Sequence, residues 1–443
     1  ATVNSAGATF AGMFNGDVLT VSASSASFAD KNVGSGKTVT ASGLTLGGTD
    51  AGNYQLTAVN GSGTGIITKA QVTGVSAIAA GSKTYDAGTT ATVSNAGATF
   101  AGMFNGDVLT VSATSASFAD KNVGSGKTVT ASGLTLGGTD AGNYTLTAST
   151  GSGTGTGTIT QAQIASVSGI TAVTKTYDGT DAATLNAGAT YNGVLGSDSL
   201  SFTATKAAFG DKNAGNGKTV KVEGIVLGGL DAGNYSLASN TASGSGAITP
   251  KALTVTGATA GDKVYDGTLA ASVTGGALNG LVNNETLTLT GLTGTFANQN
   301  AASNIAVTAS GAALLDGTGL ASNYTVGNPS GLTANITPKQ LNIAGITAGN
   351  KVYDGTLAAS LSGGTLSGLV GEETLLLSGT SGVFGDKNVG NAKAVTVSGA
   401  SLADGTGLAS NYTVANPTGL TASITAKALT VTGQLAGNKV YDG

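Results

Sequence analysis

Residues 218–227 read KTVKVEGIVL and are followed at 228–234 by GGLDAGN. Val220 and Val222 alternate with Thr219, Lys221 and Glu223, the period of two that places every second side chain on one face of a strand. The Gly, Asp and Asn cluster that follows is turn chemistry: Gly tolerates positive φ, and Asp and Asn bond their own backbone. The pattern recurs in LSFTATKAAF (200–209) and ALTVTG (252–257), with NGD at 105–107 and DGT at 266–268 as further punctuation. The Ala-rich DAATLNAGAT (181–190) is interrupted by Gly and Thr, and no window sustains a long helical period. The chain reads as all-β, with six or seven short strands to each stretch of about ninety residues.

Self-comparison explains that length. A Lys-x-Tyr-Asp phrase places Tyr85, Tyr177, Tyr265, Tyr353 and Tyr441 at spacings of 92, 88, 88 and 88 residues. A second phrase, FADKNVG and its variants, begins at Phe28, Phe118, Phe209, Phe296 and Phe384. A third, GNY or SNY, ends at Tyr54, Tyr144, Tyr235, Tyr324 and Tyr412. Three landmarks in one order at one period define a tandem array. Its predicted units are 1–68 (partial), 69–160, 161–249, 250–337, 338–425 and the start of another at 426–443. Residues 6–54 and 96–144 are identical except for Ser24 against Thr114, which points to recent duplication. The first residue is equivalent to residue 91 and the last lies in a fresh Lys-x-Tyr-Asp phrase, so the chain is expected to be a window onto a longer array. Pro250 and Pro338 stand where one unit runs into the next, ending one pairing ladder and stiffening the crossing.

The expected fold is a tandem array of small antiparallel β-sandwich (Ig-like) domains of about 88 residues forming a semi-rigid rod. A β-grasp-like unit is the first alternative. A β-solenoid is the second, although it would show a coil period near twenty residues.

Each phrase has a structural use. In Lys-x-Tyr-Asp, Lys and Tyr share one strand face, and Asp266 or Asp354 with the following Gly makes the turn. The tyrosine hydroxyl is expected to find a partner at the domain edge. Phe118, Phe209, Phe296 and Phe384 read as core residues, and the repeat at 296–300 (FANQN) shows that the charges of DKN are dispensable. Asn143 and its counterparts before Tyr144, Tyr235, Tyr324 and Tyr412 read as turn residues, in the left-handed region. Four of these asparagines also open Asn-x-Ser/Thr glycosylation sequons. Lys83, Asp86 and Asn143 are the residue types of a Lys-to-Asn isopeptide bond, but strand and turn roles account for them first.

Composition excludes much else. The 443 residues include 73 Gly, no His, no Cys and no Trp, and only 9% are charged. Without His or Cys, and with Glu only at 223, 285, 372 and 373, no acid–base or nucleophilic constellation repeats, so no catalytic residue is assigned. No dense run of Asp and Asn makes a calcium loop, and no metal or cofactor is expected. A net charge of -4 with scattered lysines argues against nucleic acid. No apolar run is long enough to cross a bilayer as a helix.

The phrase Lys-x-Tyr-Asp-Gly-Thr at 263–268 and 351–356, followed by DKN and then by GNY or SNY, resembles the YDG-type tandem repeats of large filamentous-haemagglutinin-like bacterial surface adhesins. The resemblance covers essentially the whole chain, with YDAG in place of YDG at 85–88 as a departure. It implies a secreted, extracellular or cell-surface stalk or biofilm fibre serving cell adhesion. It also implies lateral or end-to-end self-association into filaments and a host or neighbouring-cell ligand as partners. The alternative reading makes each repeat a glycan- or protein-binding adhesion module, which a row of exposed tyrosines would favour.

Overall fold

The computed structural model describes residues 1–443 except 5, 95, 148, 149 and 443, and describes the backbone but not the side chains of 150–156. It is all-β: among the described residues, the only helical pieces are five three-residue 3-10 turns, at Ala51–Asn53, Ala141–Asn143, Ala232–Asn234, Ala321–Asn323 and Ala409–Asn411. The chain divides into two compact units. One comprises Ala1–Ala172, Thr184–Ala208 and Thr219–Ser245, the other Val173–Ala183, Phe209–Lys218 and Gly246–Gly443. The division passes through the repeat 161–249 instead of falling between repeats.

The repeat 250–337 shows the plan. Its strands are β1 (Lys251–Ala260), β2 (Lys263–Val264), β3 (Ala270–Ala271), β4 (Val273–Asn279), β5 (Leu287–Thr290), β6 (Thr293–Phe296), β7 (Ala302–Ser310), β8 (Ala313–Asp316), β9 (Tyr324–Val326) and β10 (Leu332–Thr337). One sheet has the order β4-β1-β9 and the other β2-β10-β7-β6-β3, with β5 and β8 paired beside them. There are thus ten strands where six or seven are expected, because glycine kinks break longer runs. The clearest kink lies between β5 and β6, opposite the one between β7 and β8. Gly291 and Gly311 both take positive φ, 74° and 78°, and a side-chain carbon on either would collide with the other's carbonyl. Only Gly lets the two facing strands bend together there.

The expectation of a purely antiparallel unit needs correction. β1 pairs antiparallel with β4 but parallel with β9, matching Lys251 to Tyr324 and Leu253 to Val326, and β2 pairs parallel with β10. The repeat 338–425 is built the same way, with Lys351–Val352 parallel to its closing strand, and Lys83–Thr84 and Lys175–Thr176 likewise pair parallel with the last strand of their own repeats. A short strand at the start of each repeat therefore locks onto the strand that ends it. Pro250 and Pro338 stand in the one-residue gaps between the closing strand of one repeat and the opening strand of the next. A residue without an amide donor ends the ladder there at no cost.

The core follows the alternation. Ile305, Val307 and Ala309 of β7 are buried while their neighbours face solvent, and Phe296 and Ile336 are 1% exposed. Each large side chain so buried contributes about 2–3 kcal/mol. Phe118, Phe209 and Phe384 are buried in the same role. The core does not stop at the repeat boundary: Leu341 and Tyr412 of the following repeat belong to the same buried cluster as Tyr265 and Phe296.

Phe296→Ala is expected to cost about 3–5 kcal/mol, measured by denaturant unfolding. Leu315→Ala, at a position that is 56% exposed, should change stability by no more than about 0.5 kcal/mol.

Candidate functional site

The Lys-x-Tyr-Asp-Gly-Thr phrase folds around its own lysine. Lys263 Nζ donates to Asp266 Oδ1 at 2.7 Å, to the Thr268 carbonyl at 2.7 Å and to Thr268 Oγ1 at 3.0 Å. Asp266 Oδ1 also accepts the Thr268 backbone N–H at 2.9 Å, which closes the turn. The same ammonium lies 5.4 Å from the centre of the Phe296 ring, and Lys83, Lys175 and Lys351 stand over Phe118, Phe209 and Phe384 in the same way. The first two landmarks of the sequence are thus one contact within a repeat. The residue after Asp takes positive φ: Gly179 at 80°, Gly267 at 74° and Gly355 at 80°. Ala87 stands there in YDAG and takes φ 63°, so the turn persists with a side chain in the left-handed region.

The tyrosine leaves its repeat. Tyr85 donates to Asp198 Oδ2 at 2.6 Å, Tyr177 to Glu285 Oε1 at 2.7 Å and Tyr265 to Glu373 Oε1 at 2.6 Å, each carboxylate belonging to the next repeat. The GNY or SNY tyrosine of that next repeat donates to the same group: Tyr235 to Asp198 Oδ2 at 2.8 Å, Tyr324 to Glu285 Oε2 at 2.7 Å and Tyr412 to Glu373 Oε2. The paired rings meet edge to face, with centroids 5.4, 5.3 and 5.3 Å apart. The second tyrosine's oxygen also accepts a backbone N–H from the loop that bears the acid, as Leu195 donates to Tyr235 and Val282 to Tyr324.

The DKN loop reaches across as well. Lys121 binds Asp198 Oδ1 at 2.6 Å, Lys212 binds Glu285 Oε1 at 3.3 Å, and Lys31 binds Asp107. The third landmark's asparagine completes the joint. Asn234 Oδ1 accepts the Val123 N–H at 2.9 Å while its amide donates to Asn122 Oδ1 at 3.1 Å. Asn143, Asn323 and Asn411 make the same pair of bonds to the DKN loop of the repeat before them. Each of these joints lies within one of the two compact units.

Electrostatics follow from this crowding. Burial presses the Asp198 carboxyl upward, but bonds from Lys121, Tyr85 and Tyr235 outweigh it and hold the group below the usual aspartate value. Glu285 is likewise lowered, with burial opposed by Tyr177, Tyr324 and Lys212. The tyrosines move the other way: burial and the adjoining acid push Tyr177, Tyr265 and Tyr412 up to about 12.

All the expected signature residues are placed. Tyr85, Tyr177 and Tyr265 meet Tyr235, Tyr324 and Tyr412 at joints, and Tyr144 bonds Asp107 in the same manner. Asp354 holds Lys351 in its turn, with its carboxyl lowered to about 2 by that lysine first. Tyr353 packs against the cluster around Phe384, and Tyr441 is 92% exposed in a segment outside any strand. Two readings need correction. The asparagines are not left-handed turn residues: the non-glycine residues of positive φ among those described are Ala77, Ala87, Asn283, Asn284, Asn304 and Ala392. Nor are Asn234, Asn323 and Asn411 open to glycosylation, since all three are buried with their amides engaged. The isopeptide residues also part company. Lys83 is spent on Asp86 and the Gly88 carbonyl, and Asn143 on Asn32 and Val33.

The acids at the joint's centre, Asp107, Asp198, Glu285 and Glu373, are absent from the sequence expectations. Their signal is visible once Asp and Glu are pooled, for each precedes the third-landmark tyrosine by 37 or 39 residues.

A family model described as the YDG domain matches residues 1–61, 68–151, 160–242, 249–332 and 337–419. No curated protein matches the chain.

Three outcomes follow from the joint. Tyr265→Phe removes one bond to a charged acceptor and is expected to cost about 1.5–3 kcal/mol, with faster amide exchange in both 250–337 and 338–425 and little change elsewhere. Ala87→Gly should raise stability by about 1 kcal/mol in thermal unfolding, by relieving the left-handed strain. The pH profile should fall on both sides. Asp198 and Glu285 have lowered folded values, so their contribution is complete above the ordinary 3.8 and 4.5 and is lost as pH falls through the folded values. Tyr177 and Tyr265 have raised folded values, so theirs is complete below 10.0 and is lost as pH rises towards about 12. Thermal scans across pH would check both limbs.

Proposed function

Given that the chain belongs to the YDG domain family, we propose that it is a structural stalk or fibre segment of a large secreted bacterial adhesin or extracellular matrix filament. In this reading it works outside the cell, on the bacterial surface or in a biofilm, as a semi-rigid rod of small β-sandwich or barrel-like repeats, and not as an enzyme.

The observation that carries the reading is where the signature side chains point. Tyr85, Tyr177, Tyr265, Asn234, Asn323 and Asn411 are buried against the neighbouring repeat, and the acids between the tyrosines are engaged by them. What every copy keeps is the means of holding the next copy, as expected of a part whose task is to bear load and set a distance. The module reading, in which each repeat recognises a glycan or protein, loses the feature that would favour it. The seven tyrosines Tyr85, Tyr144, Tyr177, Tyr235, Tyr265, Tyr324 and Tyr412 are no more than 5% exposed and form no accessible row.

Negative-stain microscopy of the purified chain tests the mechanical part: particles should be stiff, with one evenly spaced bead per repeat. Free bending at every joint would overturn it. Labelling of intact source cells with an antibody to the repeats tests the location, and signal confined to permeabilised cells would exclude the surface role.

A further inference from the structure

The parallel pairs of the fold share one offset. In the repeat 250–337, Lys251 faces Tyr324 and Lys263 faces Ile336, each 73 residues further on. The repeat 338–425 matches Lys339 to Tyr412 and Lys351 to Ile424 at the same distance, and the repeat 161–249 matches Ala162 to Tyr235 and Lys175 to Ile248. A constant offset means that the opening segment of a repeat and its closing segment run side by side in one direction. At the far end the contact is doubled. The Tyr265 N–H donates to the Thr337 carbonyl at 2.9 Å, and Thr337 Oγ1 donates to the Lys263 carbonyl at 3.3 Å. Tyr177 with Thr249 and Tyr353 with Thr425 repeat both bonds.

These two segments also carry the chain into and out of the repeat. Pro250 alone separates Thr249 from Lys251, and Pro338 alone separates Thr337 from Lys339. Tension along the array therefore reaches the repeat 250–337 at the first residue of β1 and leaves it at the last residue of β10. β1 is the middle strand of β4-β1-β9, and β10 lies inside β2-β10-β7-β6-β3. In the repeat 338–425, Lys339–Ala344 lies between Thr365–Ser367 and Tyr412–Val414, and Leu420–Thr425 between Lys351–Val352 and Gly390–Ser398. Each pulled strand is thus an inner one. Because the opening and closing segments run parallel, tension draws them in opposite senses along their common axis, and the ladder bonds between them share the load. A strand lifted from an edge breaks its bonds one after another.

We propose that each repeat is a shear clamp, in which the parallel seam of opening and closing segments holds tension along the chain until it fails and the repeat yields its whole length at once. The inference deepens the load-bearing reading and rests on it for its use to the cell, while the seam itself belongs to the repeat wherever the protein works. It gives the two-residue Lys-x-Tyr strand a mechanical task, since that strand grips the exit strand at the end that is pulled.

Optical tweezers on the 443-residue chain test the clamp. Held by handles at its two ends, the chain should open the repeats 250–337 and 338–425 each in one step of 88 residues, about 300 Å of extended chain, with no shorter step before it. The chain has no cysteine, so Leu269→Cys, at a position 42% exposed, supplies a single internal point of attachment. Between that thiol and the C-terminal handle, tension enters the repeat 250–337 on β3, an edge strand paired through Ala270 to Thr295 and Ala271 to Gly294, and the opening segment is out of the load path. The repeat 338–425 is still pulled through its seam in the same molecule. A release of 68 residues, about 230 Å, should come first at the lower force, and the 88-residue release should follow at the force seen end to end. Equal forces or the reverse order overturn the proposal. So does a repeat 250–337 that is equally weak when the Leu269→Cys chain is pulled by its two ends, or one that opens there strand by strand. Stiffness under the microscope and labelling of cells are decided separately, so a failed clamp and a failed stalk reading are told apart.

Discussion

The array depends on one arrangement, a carboxylate almost out of water between two tyrosine hydroxyls from successive repeats. Taking a carboxylate out of water costs several kcal/mol, and the cost is offset only where both of its oxygens are engaged. Here they are: Asp198, whose side chain is 3% exposed, accepts from Tyr85, Tyr235 and Lys121. Removing one donor leaves the others bonded, but removing the acid strands two buried hydroxyls. This asymmetry makes the acid the least replaceable member of the joint, even though Asp and Glu exchange freely along the array. The shorter Asp198 offers one oxygen to both tyrosines, and the longer Glu285 offers one oxygen to each.

Around that centre, the division of labour is clean. Contacts that close a repeat are internal: lysine over phenylalanine, and aspartate within the turn. Contacts that bind repeats together come from the tyrosine two residues after that lysine and from the loop that begins two residues beyond that phenylalanine. Two residues of one phrase, such as Lys263 and Tyr265, therefore serve different masters, and the fold of a repeat and its attachment to the next are coupled through them. The buried cluster that joins Tyr265 and Phe296 to Leu341 and Tyr412 is the apolar expression of that coupling. A repeat here is a unit of sequence, and cooperativity is expected to extend over neighbours.

Much of this is legible in the sequence, and the limits have physical causes. Period-two alternation and the glycine-rich turns give the strands, and Phe118, Phe209, Phe296 and Phe384 read correctly as core. The parallel pairs do not show, because a two-residue strand such as Lys263–Val264 has no period to detect. The tyrosine partner does not show either. It lies 113 residues away for Tyr85 and 108 for Tyr265, and no local pattern encodes a contact at that range. The acid is hidden by its own tolerance, being Asp at 107 and 198 and Glu at 285 and 373. DKN is half legible. Its middle residue supplies a cation to the joint where it is Lys, and Gln299 in FANQN does not. Its first residue pairs internally, as Asp211 does with Lys218, and the repeat 250–337 replaces both members of that pair, with Asn298 and Ile305.

That one tyrosine can seat on either acid has a consequence for the gene. Tyr85 and Tyr177 stand in the same setting, yet one meets aspartate and the other glutamate. At this contact a repeat with either acid can therefore follow a repeat that bears the tyrosine. Recombination that adds or deletes a whole period would thus still set a tyrosine against a carboxylate at the new junction, and the length of the array could change while that contact stays fixed.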